Sequence, residues 1–274
     1  MALIQANGLK LYVQQLGEDG PPLVMVHGLM LGTLSAWYFS IAPALAKSHR
    51  VLVYDLRGHG LSERATEGFT LAQMADDLGS VIAHSGNEPV MLVGHSFGGA
   101  IALRYASLHP EMVRKLVIVE SPVPAISKDM DLLLWVKSKQ PEAATSRGED
   151  LVLDMSEEDK QLVFGGLPPV LRDALLRNGK RPNRLLAQIL NLVGNTTMVD
   201  DVMAEPDFTA EEIARVTCPV LLCYGEESAL RPGPDHVLMT VLPDVRLRLL
   251  KGGHSLPVEA PADLKAAIGE FLVG

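Results

Sequence analysis

The chain of 274 residues has few of the features that mark secreted, membrane-spanning or disulfide-rich proteins. Its only two cysteines, Cys218 and Cys223, lie five positions apart around a predicted strand, so they would face opposite sides and are not expected to pair. The N-terminal residues lack the charged and apolar regions of a signal peptide. No run approaches the roughly 18 apolar residues that a membrane span requires. A reduced, cytoplasmic protein is therefore expected.

Positive charge is also scarce, because 24 Lys and Arg face 33 Asp and Glu, for a net charge of −9. Without a basic cluster, neither nucleic acid nor an anionic membrane is expected as the main partner. The histidines and cysteines lack the spacing of metal ligands, and no glycine-rich loop of the phosphate-binding type occurs. We therefore expect no metal and no organic cofactor.

What the chain does contain is an alternation of strand and helix patterns. Short apolar runs separated by helical patterns predict parallel strands joined by right-handed crossovers. Asn7-Gly8 predicts a type I′ turn between the first two strands. Helices are predicted at 34–47, from Leu71, from Phe97 to about Leu108, at 234–242 and from Pro261. The eight predicted strands are 2–6, 9–15, 22–26, 51–54, 90–93, 115–119, 219–224 and 245–249.

Between these α/β segments, residues 121–210 contain helical patterns and no strand pattern. Helices are predicted there at 130–139, 156–164, 169–178 and 183–193. An insertion after a strand's carboxyl end would cover that edge of the sheet. We therefore predict a core domain formed by 1–120 and 211–274, with 121–210 as a helical cap.

The segment Gly94-His95-Ser96-Phe97-Gly98 lies between an apolar strand and a helix that begins with small residues. This G-x-S-x-G pattern is typical of a nucleophile elbow, in which glycines allow a sharp turn that exposes the serine hydroxyl. A serine hydroxyl needs a base to become a good nucleophile. Among the eight histidines, only His254 lies in a glycine-rich loop directly after the last predicted strand, so it is the predicted base.

Together these motifs resemble the α/β-hydrolase fold superfamily. The resemblance rests on His27-Gly28, on Asp55-x-Arg57-Gly58-x-Gly60-x-Ser62, on the elbow and on Gly253-His254, and it spans the whole chain. It implies a mostly parallel eight-stranded sheet with helices on both faces and a helical cap. It also implies an oxyanion hole made by the backbone N–H groups of Leu29 and Phe97, and a mainly structural role for Asp55 and Arg57.

The acid that orients the histidine departs from the usual pattern. Most relatives carry an Asp shortly after the strand at 219–224, but here Ser228 occupies the expected position after Glu226 and Glu227. Some relatives carry the acid one strand earlier, where this chain has Glu120. A carboxylate at the end of a buried run needs a partner, which a nearby histidine would supply. We predict Glu120 as the acid; Glu226, Glu227 or no acid at all are the alternatives.

A serine nucleophile excludes the epoxide hydrolases and haloalkane dehalogenases of the resembled superfamily, which need a carboxylate at that position. The expected activity is therefore a serine hydrolase that cleaves a carboxylic ester or thioester of a small to medium apolar acyl substrate. A C–C bond hydrolase, a lyase or cyclase of secondary metabolism, and a non-catalytic ligand-binding homologue are the alternatives. A homodimer is compatible with the sequence. Apolar cap residues are candidates for the pocket: Leu133, Trp135, Met155, Phe164 and Met198.

Overall fold

A computed structural model describes residues 2–30, 32–124 and 191–274. They contain one eight-stranded sheet with the strand order β1-β2-β4-β3-β5-β6-β7-β8. β1–β2 and β2–β4 pair antiparallel and the other neighbours pair parallel, which confirms the predicted mostly parallel sheet. The strands are β1 Ala2–Ala6, β2 Leu9–Leu16, β3 Pro22–Val26, β4 Arg50–Tyr54, β5 Val90–His95, β6 Val113–Val119, β7 Val220–Gly225 and β8 Val245–Leu250.

The turn between β1 and β2 has the predicted geometry. Asn7 and Gly8 have φ values of 48° and 82°. A type I′ turn needs positive φ at both central positions, which asparagine and glycine tolerate. The two-residue connection therefore joins β1 to β2 as a hairpin.

The helices that connect the strands lie on both faces of the sheet. Within the described residues they are α1 Ser35–Tyr38, α2 Ala42–Leu45, α3 Leu71–His84, α4 Phe97–Leu108, α5 Met198–Met203, α6 Ala210–Ala214, α7 Val237–Val241, α8 Leu256–Glu259 and α9 Pro261–Val273. The helical segment predicted at 34–47 is divided into two short helices, α1 and α2. Pro43 in α2 has no N–H to donate to Phe39, and its ring would clash with that carbonyl in a continuous helix.

Each face of the sheet has its own apolar core. In β3, Val24 and Val26 pack with α3 and α4, whereas Leu23 and Met25 pack with α1, α2 and α9. All five residues of β3 are buried. Such a strand is covered on both faces, as its continuous apolar run predicts. The site described below lies at the carboxyl ends of these central strands.

The predicted cap lies largely outside the described residues, so its extent and helices stay predictions. Leu133, Trp135, Met155 and Phe164 lie there too, while Met198 is buried in the core beside α3 and α4. Hydrogen bonds join residues 201–205 to the core. The Phe69 N–H donates to Asp201 at 2.9 Å, and the Leu71 N–H donates to Glu205 at 3.1 Å. The end of the predicted insertion is thereby fixed against the start of α3.

Cys218 and Cys223 are both buried and unpaired, as predicted. In the described ranges, no helix combines the length and the apolar composition needed to cross a membrane.

Candidate active site

Three of the predicted site residues, Ser96, Glu120 and His254, follow strands that end at the same edge of the sheet. His95 of β5 pairs with Val119 of β6, which pairs with Cys223 of β7. The backbone continues this alignment past the strands. The Ser96 N–H donates to the Val119 carbonyl at 2.8 Å, and the Glu120 N–H donates to the Cys223 carbonyl at 3.0 Å. Parallel pairing therefore places Ser96 and Glu120 side by side.

Ser96 occupies the sharp turn between β5 and α4, with φ 53° and ψ −128°. A side chain at either flanking glycine would collide with backbone. A Cβ on Gly94 would lie 2.3 Å from the Gly98 carbonyl oxygen, and one on Gly98 would lie 2.5 Å from the His27 carbonyl oxygen. The G-x-S-x-G pattern therefore reflects close packing of β3, β5 and α4 around the serine.

His254 comes from the loop after β8, and its Nε2 lies 3.1 Å from the Ser96 Oγ. Two side chains hold the backbone of this loop. The Nε2–H of His95 donates to the His254 carbonyl at 2.8 Å, and the Gly253 N–H donates to the Glu259 carboxylate at 2.6 Å. The imidazole is thus placed within hydrogen-bond distance of the serine hydroxyl.

Glu120 lies behind the imidazole, with its Oε2 at 3.6 Å from the His254 Nδ1. The Glu120 side chain is 0% exposed, and its φ is 51°. Its carboxylate accepts hydrogen bonds from the Gly225 N–H and from the Ser228 hydroxyl, the latter at 2.6 Å. These donors compensate the burial of the charge and aim one oxygen at the histidine.

The alternative acids Glu226 and Glu227 are exposed. Their backbone N–H groups donate to the carbonyls of Leu250 and Gly252, so these two residues connect β7 to the end of β8. In the described part of the chain, neither carboxylate contacts His254. Of the three predicted candidates, the structure brings only Glu120 to the imidazole.

Phe97 directly follows Ser96, and Leu29 directly follows Gly28, which packs against Ser96. Phe97 is the first residue of α4, and a Cβ on Gly28 would lie only 3.0 Å from the Ser96 Cβ. No described residue accepts a hydrogen bond from the N–H of Leu29 or of Phe97. The first N–H groups of a helix have no acceptor within it and carry its positive end. Within the described residues, both N–H groups therefore lack an acceptor.

The contacts of Asp55 and Arg57 are structural. The Asp55 carboxylate accepts hydrogen bonds from the N–H groups of Leu34 at 2.8 Å and Leu61 at 2.9 Å. Arg57 forms a bidentate pair with Asp77, at 2.7 and 2.8 Å. Burial raises the pKa of both aspartates. These buried contacts connect the loops that surround the site.

A comparison of this chain with models of protein families shows the family to which it belongs. Residues 21–161, more than half of the chain, match the model described as the alpha/beta hydrolase fold. The chain belongs to the α/β-hydrolase fold family. The elbow, His27-Gly28 and Asp55-x-Arg57-Gly58 all lie within the matched residues.

Two proteins with similar sequences carry hydrolase names. An AB hydrolase superfamily protein of Bacillus subtilis is 32% identical over 49% of this chain and 49% of its own length. This chain therefore spans about half of that relative. A putative carbamate hydrolase of Cronobacter turicensis is 28% identical over 92% of this chain and 91% of its own length.

A solved structure shares the fold over the full length. The enol-lactonase of Burkholderia xenovorans superposes with a TM-score of 0.73 and 20% identity, covering 100% of both chains. At this identity the likeness concerns the fold alone.

Sequence reasoning did not identify the residues that support His254 and Glu120. His95 supports the loop of His254, and Ser228 supports Glu120. The position of His95 beside the nucleophile was the only signal for the first. Ser228 was noticed only because it replaces an expected acid.

Proposed function

We propose that this protein is a serine hydrolase that cleaves a carboxylic ester or thioester of a small to medium apolar acyl substrate. The observation that carries the proposal is the 3.1 Å distance between the Ser96 Oγ and the His254 Nε2, with the buried Glu120 carboxylate behind Nδ1. Hydroxyl, imidazole and carboxylate in this order are the parts that make serine a nucleophile near neutral pH.

In the proposed reaction, the Ser96 oxygen attacks the substrate carbonyl while His254 Nε2 takes the hydroxyl proton. Glu120 stabilises the imidazolium that forms. The N–H groups of Leu29 and Phe97 donate to the oxyanion, and such donors are worth about 3–4 kcal/mol each. The bond to the leaving group then breaks, and Nε2 returns the proton to the leaving alcohol or thiol. Water repeats these steps on the acyl-enzyme, which releases the acid and restores Ser96.

The relative named a putative carbamate hydrolase, which matches along 92% of this chain, suggests a second substrate class. A carbamate is also attacked at a carbonyl carbon, so it would use the same groups. A C–C bond hydrolase would use them on a diketone. We therefore include carbamates and a vinylogous diketone as separate arms of the substrate test.

Labelling by a fluorophosphonate probe tests the nucleophile directly. Intact-mass analysis is expected to show one adduct on the wild type and none on Ser96→Ala. Ser107→Ala is the matched control, because Ser107 lies near the other end of α4, where it is buried and donates to the Arg104 carbonyl. This control should label like the wild type. An unreactive Ser96 in folded protein would overturn the proposal and favour the ligand-binding alternative.

The acyl preference is tested with p-nitrophenyl esters of increasing chain length, together with matched thioesters. A maximum of kcat/KM at short or medium chains is expected. Turnover of the carbamate or the diketone alone would replace the ester proposal with that class.

A further inference from the structure

Two buried histidines contact the backbone on both sides of Leu29. The Nδ1 of His27 lies 2.8 Å from the Gly28 carbonyl oxygen, and the Met30 N–H donates to the Nε2 of His59 at 3.1 Å. Both side chains are almost fully buried, and their rings lie 5.4 Å apart. The proposed mechanism uses neither imidazole.

The partners of each ring determine which nitrogen carries the proton. The Nδ1 of His27 faces the Gly28 carbonyl and that of His59 faces the Arg57 carbonyl at 2.8 Å, and carbonyl oxygens only accept. The Nε2 of each ring faces a backbone N–H: Leu56 at 3.0 Å for His27, and Met30 for His59. Both rings are therefore neutral, with the proton on Nδ1.

Charging either ring would place two N–H groups against each other. Burial opposes that charge as well, and it lowers the pKa of His27 to about 4 and that of His59 to about 3. The same four contacts thus persist at neutral pH.

The Gly28–Leu29 peptide is trans, so its C=O and N–H point in opposite directions. Holding the carbonyl on the His27 ring consequently directs the Leu29 N–H away from that ring. A hydrogen bond to the carbonyl also polarises the peptide and strengthens its N–H as a donor. The next peptide is held by its N–H on His59, and Met30 has a φ of 64°.

We propose that His27 and His59 are positioning residues that hold the Leu29 N–H in the orientation needed to bind the oxyanion. This inference rests on the proposed function, because it assigns a role within the same site. It predicts that the two rings affect the stabilisation of the developing oxyanion more than the binding of the substrate.

Two polar replacements of His59 separate its two hydrogen bonds. His59→Gln retains an acceptor at the position of Nε2, which the Met30 N–H can reach. His59→Asn retains a donor near Nδ1 for the Arg57 carbonyl but is too short to reach Met30. Loss of an oxyanion donor costs about 10²–10³ in kcat, so misplacing one in His59→Asn should lower kcat by roughly 10- to 100-fold. KM should change little, and His59→Gln should recover most of the loss.

A pair of substrates distinguishes this role from a general loss of structure. Sulfur is a weak hydrogen-bond acceptor, so a thionoester gains less from the oxyanion hole than the matching oxygen ester. The ratio of kcat/KM for ester over thionoester should fall in His59→Asn and stay near the wild-type value in His59→Gln. His27→Leu should lower this ratio as well. His49→Leu is the control, since His49 is buried at the opposite end of β4 and should leave the ratio unchanged.

Amide hydrogen exchange at Met30 supplies a readout that needs no activity. Exchange should be slow in the wild type and in His59→Gln, and faster by about 10-fold or more in His59→Asn because the acceptor is gone. Equal exchange rates and equal ester-to-thionoester ratios in the two variants would overturn the inference. If wild-type Ser96 proved unreactive while the exchange rates differed as expected, the proposed function would fail and the anchoring of the loop would stand.

Discussion

Replacing Glu120 with glutamine removes one charge and preserves the shape of the side chain. The Glu120 Oε2 lies 3.6 Å from the His254 Nδ1, a separation worth about 4–5 kcal/mol between unit charges at an effective dielectric constant of about 20. The His254 side chain is 46% exposed, so water screens part of this energy. We expect kcat to fall by about 10²–10³ in Glu120→Gln, since each 1.36 kcal/mol is tenfold.

Hydrogen bonding reinforces this effect. The glutamine oxygen can still accept from the Gly225 N–H, which leaves the amide NH₂ toward Ser228 and His254. An NH₂ facing Nδ1 favours the imidazole form with the proton on Nε2, and that form cannot take the Ser96 proton. The rate of fluorophosphonate labelling should therefore fall with kcat, while KM for a p-nitrophenyl ester stays within a few-fold.

Glu226→Gln and Glu227→Gln are the matched controls, because each removes an exposed carboxylate from the loop after β7 that carries Ser228. Both should retain wild-type kcat. Ser228→Ala should lie between these controls and Glu120→Gln, since it removes a single hydrogen bond to the carboxylate. A Glu120→Gln variant within about threefold of the wild type, with a collapse in either control, would refute the assignment of the acid.

Three further outcomes are expected. Arg57→Met should lower the free energy of unfolding by about 3–5 kcal/mol in urea titrations, because it leaves the buried Asp77 carboxylate unpaired; a loss below about 1 kcal/mol would contradict this. Stability should also fall from pH 7 to pH 5, because unfolding lets His27 and His59 bind protons that their lowered folded pKa values of about 4 and about 3 exclude. The cost is about 2 kcal/mol for each ring, the raised pKa values of the buried Asp55 and Asp77 act in the opposite direction, and unchanged urea midpoints would contradict the prediction. Burial raises the pKa of Cys218 to about 11 and that of Cys223 to about 12, so a disulfide reagent at pH 8 should label neither thiol before unfolding; rapid labelling of native protein would refute this.

The architecture could be predicted from the sequence because the local patterns agree with one another. The apolar run of β3 is buried on both faces, and Asn7-Gly8 adopts the positive φ values its composition suggests. The division of 34–47 into α1 and α2 shows the limit of helical periodicity. One proline inside an otherwise regular pattern was enough to end it.

The site could be predicted where its residues lie in local sequence motifs. Ser96 and His254 each lie in a local motif, but the choice between Glu120 and Glu226 depends on how far apart β6, β7 and the last loop lie in space. Ser228 donating to Glu120 explains how a serine can stand at a position where relatives carry an acid. His27, His59 and His95 each have one contact with a residue far along the chain, Leu56, Met30 and His254 respectively, and no local pattern contains these contacts.

Ser96 and Glu120 both have a left-handed backbone, which costs a non-glycine residue about 1–3 kcal/mol. Glycine would relieve that cost at either position, at the loss of the side chain. Two of the residues proposed to do chemistry are therefore held in a strained backbone conformation. A laboratory selection for heat resistance, run without a screen for turnover, could therefore retain glycine at these two positions. Every such run has to be paired with an activity measurement to keep the site.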